Sequence, residues 1–358
     1  MSLTLENVSK TVGSESHIRD VSLKLERGTI NVLLGPTLSG KTSLMRLMAG
    51  LDRPASGRIL VDGKDVTGAH VRNRSVAMVY QQFINYPSLT VYENIASPLR
   101  VAGHSKADID KEVREAARML KLEPMLQRTP QELSGGQQQR TAIARAIVKR
   151  AALVLLDEPL ANLDYKLREE LREELPKIFE ASGAVFVYAT TEPQEALMLG
   201  GNTATLWEGR VTQFGRTIDV YRRPHDLTTG QVFSDPPMNI IPVDKQGAAV
   251  ALPSGEKAAA TGVLASLGNG RFDLGVRPNH LFLKDPGNGA IRLDATVNVT
   301  EISGSESFVH VDYNGHRFVA LTHGVHDVAP GSAIALYIDP TRLFVFDAAG
   351  RLAAAPAA

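Results

Sequence analysis

The chain has 358 residues, 43% of them apolar, which suits two domains with sizeable cores better than one. Lys+Arg and Asp+Glu both number 39, so no global positive field recruits nucleic acid or an anionic bilayer. Cysteine is absent, which excludes disulfides and thiolate metal sites and fits a reducing compartment. The opening MSLTLENVSK lacks the basic-then-apolar pattern of a signal peptide. The longest apolar runs, such as ALVLL, fall far short of the roughly 20 residues of a membrane-spanning helix. Any membrane role is therefore expected to run through partner chains.

Up to about Phe233, short apolar runs alternate with helical patterns. TINVLLG reads as a strand, followed by a helix with Leu44, Leu47, Met48 and Leu51 on one face. ALVLLDE and AVFVYATTE read as further buried strands. Between them Leu167, Leu171, Leu175 and Ile178 recur at helical spacing, with Pro176 as a kink or boundary. The alternation predicts an α/β domain over 1–233 with a mostly parallel sheet. After FSDPPMNIIPV the texture changes to ATVNVTEI, SFVHVDY, RFVALTH, AIALYI and LFVFD, punctuated by Gly, Pro, Asn and Asp. These runs predict a β-rich domain over 234–358, a small antiparallel barrel or sandwich, and the tail RLAAAPAA is expected to fray.

GPTLSGKT, from Gly35 through Pro36, Thr37, Leu38, Ser39, Gly40 and Lys41 to Thr42, fits the phosphate-loop pattern and sits between a strand and a helix that continues with Ser43. In such a loop successive backbone N–H groups surround a phosphate, Lys41 supplies a point charge and the Thr42 hydroxyl ligates Mg²⁺. The bland alternative, a glycine-rich turn with an incidental lysine, is disfavoured by that context. Leu38 is the odd member: if its position needs a positive φ, a leucine there is strained.

Downstream, MVYQQFINYP offers two amides after a short strand, and register favours Gln81 over Gln82 for the metal or the attacking water. LSGGQQQR reads by itself as a helix N-terminus with a glycine-rich entry loop, in which Ser134 can cap the following helix. LVLLDEP ends a strand in two carboxylates that point to opposite sides. Asp157 suits the Mg²⁺ shell, and Glu158 suits polarisation of a water.

In this order GPTLSGKT, LSGGQQQR, LVLLDEP and ANLD resemble the ATP-binding cassette (ABC) ATPases, over roughly the first 230 residues. The pattern is specific, because phosphate-loop kinases and GTPases lack LSGGQ. PPMNIIPV, LGVRPNHLFL and VNVTEISGSES resemble, more loosely, the OB-like regulatory domain of maltose-type import ATPases. The unusual variants GPTLSGKTSLMRLMAGLDRP, VYQQFINYP and ATTEP are similar to the ATPases of glycerol-uptake importers, within the wider carbohydrate, polyol and glycerol-phosphate import group.

The resemblance implies a cassette fold with a helical subdomain at about 85–150, ATP and Mg²⁺ as cofactors, and hydrolysis coupled to solute import. It implies that Ser134, Gly135, Gly136 and Gln137 close over the γ-phosphate held by a second ATPase subunit, and that Asp164 couples the two sites. Two transmembrane permease subunits are implied as partners at the cytoplasmic face of the membrane, with a periplasmic solute-binding protein acting indirectly. Phe83, Tyr86 and Tyr92 are candidates for the permease cleft.

Two positions depart from the family. Thr191 stands where a histidine normally meets the γ-phosphate, and Val12 stands where an aromatic ring normally stacks on adenine, with His17 or Ile18 as substitutes. These departures predict a heterodimer, in which this chain completes a competent site on a different ATPase subunit while its own site is slower. The intact Glu158 keeps a homodimer as the alternative. A translation or DNA-repair cassette protein, a small-molecule kinase and an exporter with fused membrane helices fit less well.

Overall fold

The computed structural model describes residues 2–357 apart from Phe83 and Asn162; the side chains of Leu167 and of residues 178–182 also lie outside the description. The expectations for Phe83 and for the packing of Leu167 and Ile178 therefore fall outside the described residues. The chain divides into two compact units, Met1–Thr217 and Ile218–Ala358, a division earlier than the expected 233. The stretch before Phe233 joins the second unit through packing: Leu227 lies against Met238, Phe344 and Phe346, and Tyr221 meets the Phe233 ring edge-on at 5.4 Å.

In chain order the first unit runs β1 (Ser2–Val12), β2 (Glu15–Glu26), β3 (Ile30–Leu34), α1 (Lys41–Ala49), β4 (Ser56–Val61), β5 (Lys64–Asp65), β6 (Val76–Val79), α2 (Val91–Val101), α3 (Lys106–Met119) and α4 (Gly135–Val148). It continues through β7 (Leu153–Asp157), α5 (Tyr165–Ser182), β8 (Val185–Thr190), α6 (Pro193–Leu199), β9 (Asn202–Trp207) and β10 (Arg210–Arg216). The central sheet has the order β10-β9-β3-β8-β7-β6 and is parallel except for the β9–β10 hairpin at its edge. Both faces of β7 and β8 are covered, which is why they read as unbroken apolar runs. Adjacent strands bring Leu34 beside Thr190, and Asp157 beside Ala189. The segments leaving β3, β7 and β8 therefore converge at the carboxyl ends of the strands, where α/β sheets bind ligands.

A second, antiparallel sheet of order β2-β1-β4-β5 was not anticipated from the sequence. Its strand β2 alternates, burying Val21, Leu23 and Leu25. These side chains share one core with Leu44, Leu47 and Met48 of α1. Leu51 is not on that face. It follows the left-handed cap Gly50 (φ 73°) and is 38% exposed. Pro176 ends nothing either, since α5 runs through it as one helix.

Helices α2, α3 and α4 occupy 91–148, inside the expected helical region. Each has a side-chain cap, from Thr90, Ser105 and Ser134 respectively. Such caps stabilise a helix by about 0.5–2 kcal/mol each.

The second unit opens with two short helices, α7 (Thr217–Arg222) and α8 (Leu227–Val232). Two antiparallel sheets of six and five strands follow, and their inner faces share a core that includes Ile241, Leu274, Leu293, Val309, Leu336 and Val345. Each predicted run from ATVNVTEI to LFVFD is a strand. The tail does not fray where expected: Leu352–Ala354 is a strand paired with Val345 and Phe346.

Candidate nucleotide site

The phosphate-loop segment leaves β3 and turns tightly. A Cβ on Gly35 would lie 2.5 Å from the Leu206 carbonyl oxygen, and Gly40 adopts φ 105°. Gly40 is also the residue before α1, and no side chain caps that helix. The first-turn N–H groups of α1 are thus served by no cap, unlike those of α2, α3 and α4, and a helix start of this kind suits an anion. Leu38 holds φ 67° while 96% exposed, so the backbone strain foreseen at this position is real, on the order of 1 kcal/mol, and no packing of its side chain offsets it.

Charge is concentrated beneath the loop. The Lys41 ammonium is 5% exposed and donates to the carbonyls of Gly35 (2.7 Å) and Pro36 (3.0 Å), with Glu158 Oε1 at 3.6 Å. Burial pulls the Lys41 pKa down, opposed by Glu158 and then Asp157. Burial pushes the Asp157 carboxyl up, opposed by the Thr42 hydrogen bond and by Lys41. Thr42 Oγ1 donates to Asp157 Oδ2 at 2.7 Å, and Gln81 Nε2 donates to Glu158 Oε2 at 2.9 Å. Asp157 and Glu158 face different partners, although not by strand alternation: β7 ends at Asp157, and Glu158 turns away at φ 45°. Lys41, Thr42, Gln81 and Glu158, with Thr37, Leu38, Gly40 and Ser43 of the loop, border a cavity of about 560 Å³, and Asp157 lies behind Thr42 outside its lining.

Some expected residues lie elsewhere. Val12 is half exposed beside the turn of the β1–β2 hairpin, paired with Glu15, and does not border the cavity. Ile18 is fully buried in the core. His17 forms the wall instead, with Nδ1 3.3 Å from Ser43 Oγ. Thr191 is exposed on the turn after β8 and is also outside the cavity lining; its neighbour Thr190 makes the contacts, accepting from Gly35 N–H at 3.3 Å. Gln82 is exposed and, unlike Gln81, does not border the cavity. Arg19, Glu208 and Gly209 border the cavity without having been anticipated. Nothing in WEGRV ties it to residue 17 until the β9–β10 turn brings Gly209 against the His17 carbonyl.

Ser134, Gly135, Gly136 and Gln137 do not border this cavity. Ser134 Oγ accepts from Gln137 N–H at 3.3 Å, and Gln137 Oε1 accepts from Ser134 N–H at 2.9 Å, a reciprocal capping box. Ser134 and Gly135 are exposed, and a Cβ on Gly136 would meet Leu163 of the ANLD loop at 3.1 Å. Asp164 is exposed at the start of α5.

The residues fit a nucleoside triphosphate with Mg²⁺. Ser39 Oγ is buried without a partner inside the loop, the glycine positions leave no room for a Cβ, and Lys41 supplies a cation under an uncapped helix start. Thr42 and Asp157 present hard oxygens side by side. Mg²⁺ keeps waters and shares substrate phosphates, so one or two protein oxygens such as these are enough to place it.

Comparison with known proteins agrees. The ABC transporter family model matches residues 18–161, and a TOBE domain model matches 274–346. The sn-glycerol-3-phosphate import ATP-binding protein UgpC of Ruegeria sp. (strain TM1040) is 36% identical over 97% of each chain. The protein of that name from Salmonella typhi is 35% identical over 96% of this chain and 97% of its own. A dimeric post-hydrolysis structure of the ATP-binding cassette MJ0796, bound to ADP and Pi, covers 60% of this chain and 98% of its own at 30% identity, with a TM-score of 0.55. The chain therefore belongs to the ABC transporter family, as an ATP-binding subunit of the importer type: an ATPase whose cofactors are ATP and Mg²⁺.

Proposed function

We propose that this chain energises uptake of a small polyol or its phosphate, glycerol or sn-glycerol-3-phosphate, from the cytoplasmic face of a membrane through two permease chains supplied by a solute-binding protein. The relatives' import of sn-glycerol-3-phosphate supports the solute class. No helix among the described residues is long and apolar enough to cross a membrane, which is compatible with separate permease chains. Ile84 and Tyr86 are exposed beside α2, with the Arg145 guanidinium 4.9 Å from the Tyr86 ring, and they suit the permease contact.

The observation that carries the reading is that the start of α4, Ser134 and Gly135, stands exposed and outside the chain's own phosphate cavity. With Gln137 N–H engaged by the Ser134 cap, the glycine N–H groups at this start are the ones read as serving a triphosphate on a second protomer. Within the chain's own site Lys41 and the α1 start bind phosphates, while Thr42, Asp157 and Gln81 hold Mg²⁺, which supplies charge neutralisation when bound. Glu158 takes the proton of the attacking water at Oε1 while Gln81 steadies Oε2. Pro36, Thr37, Leu38, Ser39, Gly40 and Ser43 shape the loop, and His17 stands in place of Val12 at the base.

Thr191 carries a short neutral hydroxyl and supports pairing with a non-identical subunit that supplies the faster site. The complete acid pair supports the homodimer equally. ATPase assays of the full chain alone, with the permease, and with a second cassette subunit test this. Stimulation only by the non-identical subunit is the expected result, and full solute-coupled turnover from this chain and the permease alone overturns the heterodimer.

A further inference from the structure

Behind Thr191 lies a set of charges for which nucleotide chemistry has no use. Arg168 and Arg172 stand four residues apart on α5, the helix that begins at the ANLD loop. Arg168 Nη2 donates to the carbonyls of Ala161 (3.3 Å) and Leu163 (3.5 Å), while its Nη1 lies 3.5 Å from Glu192 Oε1. Arg172 Nη2 donates to Glu192 Oε2 (2.9 Å) and Glu195 Oε1 (3.2 Å), and its Nη1 donates to Glu169 at 2.6 Å. Glu195 Oε2 in turn accepts from Thr190 Oγ1 (2.6 Å) and the Tyr188 hydroxyl (3.0 Å). Glu192 N–H donates to Thr190 Oγ1 at 3.0 Å. Both residues flanking Thr191 are thus held, and Glu192 bridges the two arginines.

The Arg172 and Glu195 side chains are 8% and 5% exposed. Burying ions seldom improves stability over apolar packing, and its best-attested use is to specify one arrangement. Here the arrangement is one helix end against one turn.

We infer that Arg168, Arg172, Glu192 and Glu195 form a clamp that moves the ANLD loop and the Thr191 turn as one body, so that contact of Asp164 with a second protomer sets the placement of Thr191 in this chain's own site. All four are positioning residues, since none borders the nucleotide cavity. The inference rests on the reading that Asp164 meets a second protomer and that Thr191 faces the γ-phosphate.

Glu192 is the position to vary, because its side chain is 38% exposed and glutamine keeps its shape. Removing Arg172 would strand a buried carboxylate and endanger folding. With the full chain assembled on its permease, Glu192→Gln is expected to lower kcat by about tenfold, the equivalent of 1.36 kcal/mol in the barrier, with the Kd for a fluorescent ATP analogue unchanged. Glu192→Asp keeps the charge and is expected to restore most of the rate. The double variant with Thr191→Ala is expected to be no slower than Thr191→Ala alone, because the clamp acts only through that residue. Losses that multiply in the double variant, or a Kd that shifts in step with kcat, overturn the clamp and leave the γ-phosphate reading of Thr191 standing. A Thr191→Ala variant with undiminished kcat removes that reading and the clamp with it.

Discussion

Placing a histidine at position 191 tests the reading of this chain's own site most directly. The turn after β8 is anchored to the phosphate loop, since the Thr190 carbonyl accepts the Gly35 N–H at 3.3 Å. Residue 191 therefore follows a residue bonded directly to the phosphate loop, and its exposure leaves room for an imidazole. A single donor aimed at charge developing in a transition state is worth roughly 2.7–4 kcal/mol in a closed site. Discounted for the solvent at this turn, about 1.5–3 kcal/mol remains, which is about 10- to 100-fold in kcat. The assay is phosphate release by the full chain with its permease at saturating ATP, followed across pH. Thr191→His is expected to raise kcat with little change in KM, and the rate should acquire a titration near the ordinary imidazole value of about 6.5. A variant in which KM falls while kcat stays fixed would mean that the imidazole binds ground and transition states alike, which refutes the reasoning.

Two further predictions concern strain and acid. Leu38→Asn should stabilise the chain by about 0.5–1 kcal/mol in urea unfolding, because asparagine tolerates a positive φ and the exposed leucine loses no packing; a loss of stability would show that Leu38 makes a contact this conformation lacks. In the second unit burial, with Arg342 and then Arg277 nearby and Asp339 opposing, pulls His280 down to about 4. A depressed histidine is neutral in the folded state, so its contribution is complete above about 6.5 and is lost as pH falls toward 4, by roughly 2 kcal/mol for a half-buried ring. Calorimetry of the full chain should show that acid sensitivity flattened by His280→Gln, and an unchanged pH profile would refute it.

What could be read directly from the residues was whatever local chemistry specifies. A phosphate loop needs its glycines, lysine and threonine in unbroken succession, and buried parallel strands need continuous apolar runs, so β3, β7, β8 and the loop between β3 and α1 were legible in one dimension. Ser134 as a cap and the alternating strands of the second unit were legible for the same reason. Leu51 misled because a three- or four-residue spacing says nothing of where a helix stops, which Gly50 decided, and of the two readings of Pro176 the boundary is ruled out by the unbroken α5. Contacts between segments far apart in the chain were decided only by the fold. Thr42 meets Asp157, Gln81 meets Glu158, and Gly209 closes on His17, which left Val12 outside the cavity. The ion cluster of Arg168, Arg172, Glu192 and Glu195 belongs with these, because α5 and the turn after β8 become neighbours only when the sheet places them so. A charged residue in a sequence carries no mark of its partner, and partnership is a property of three-dimensional distance.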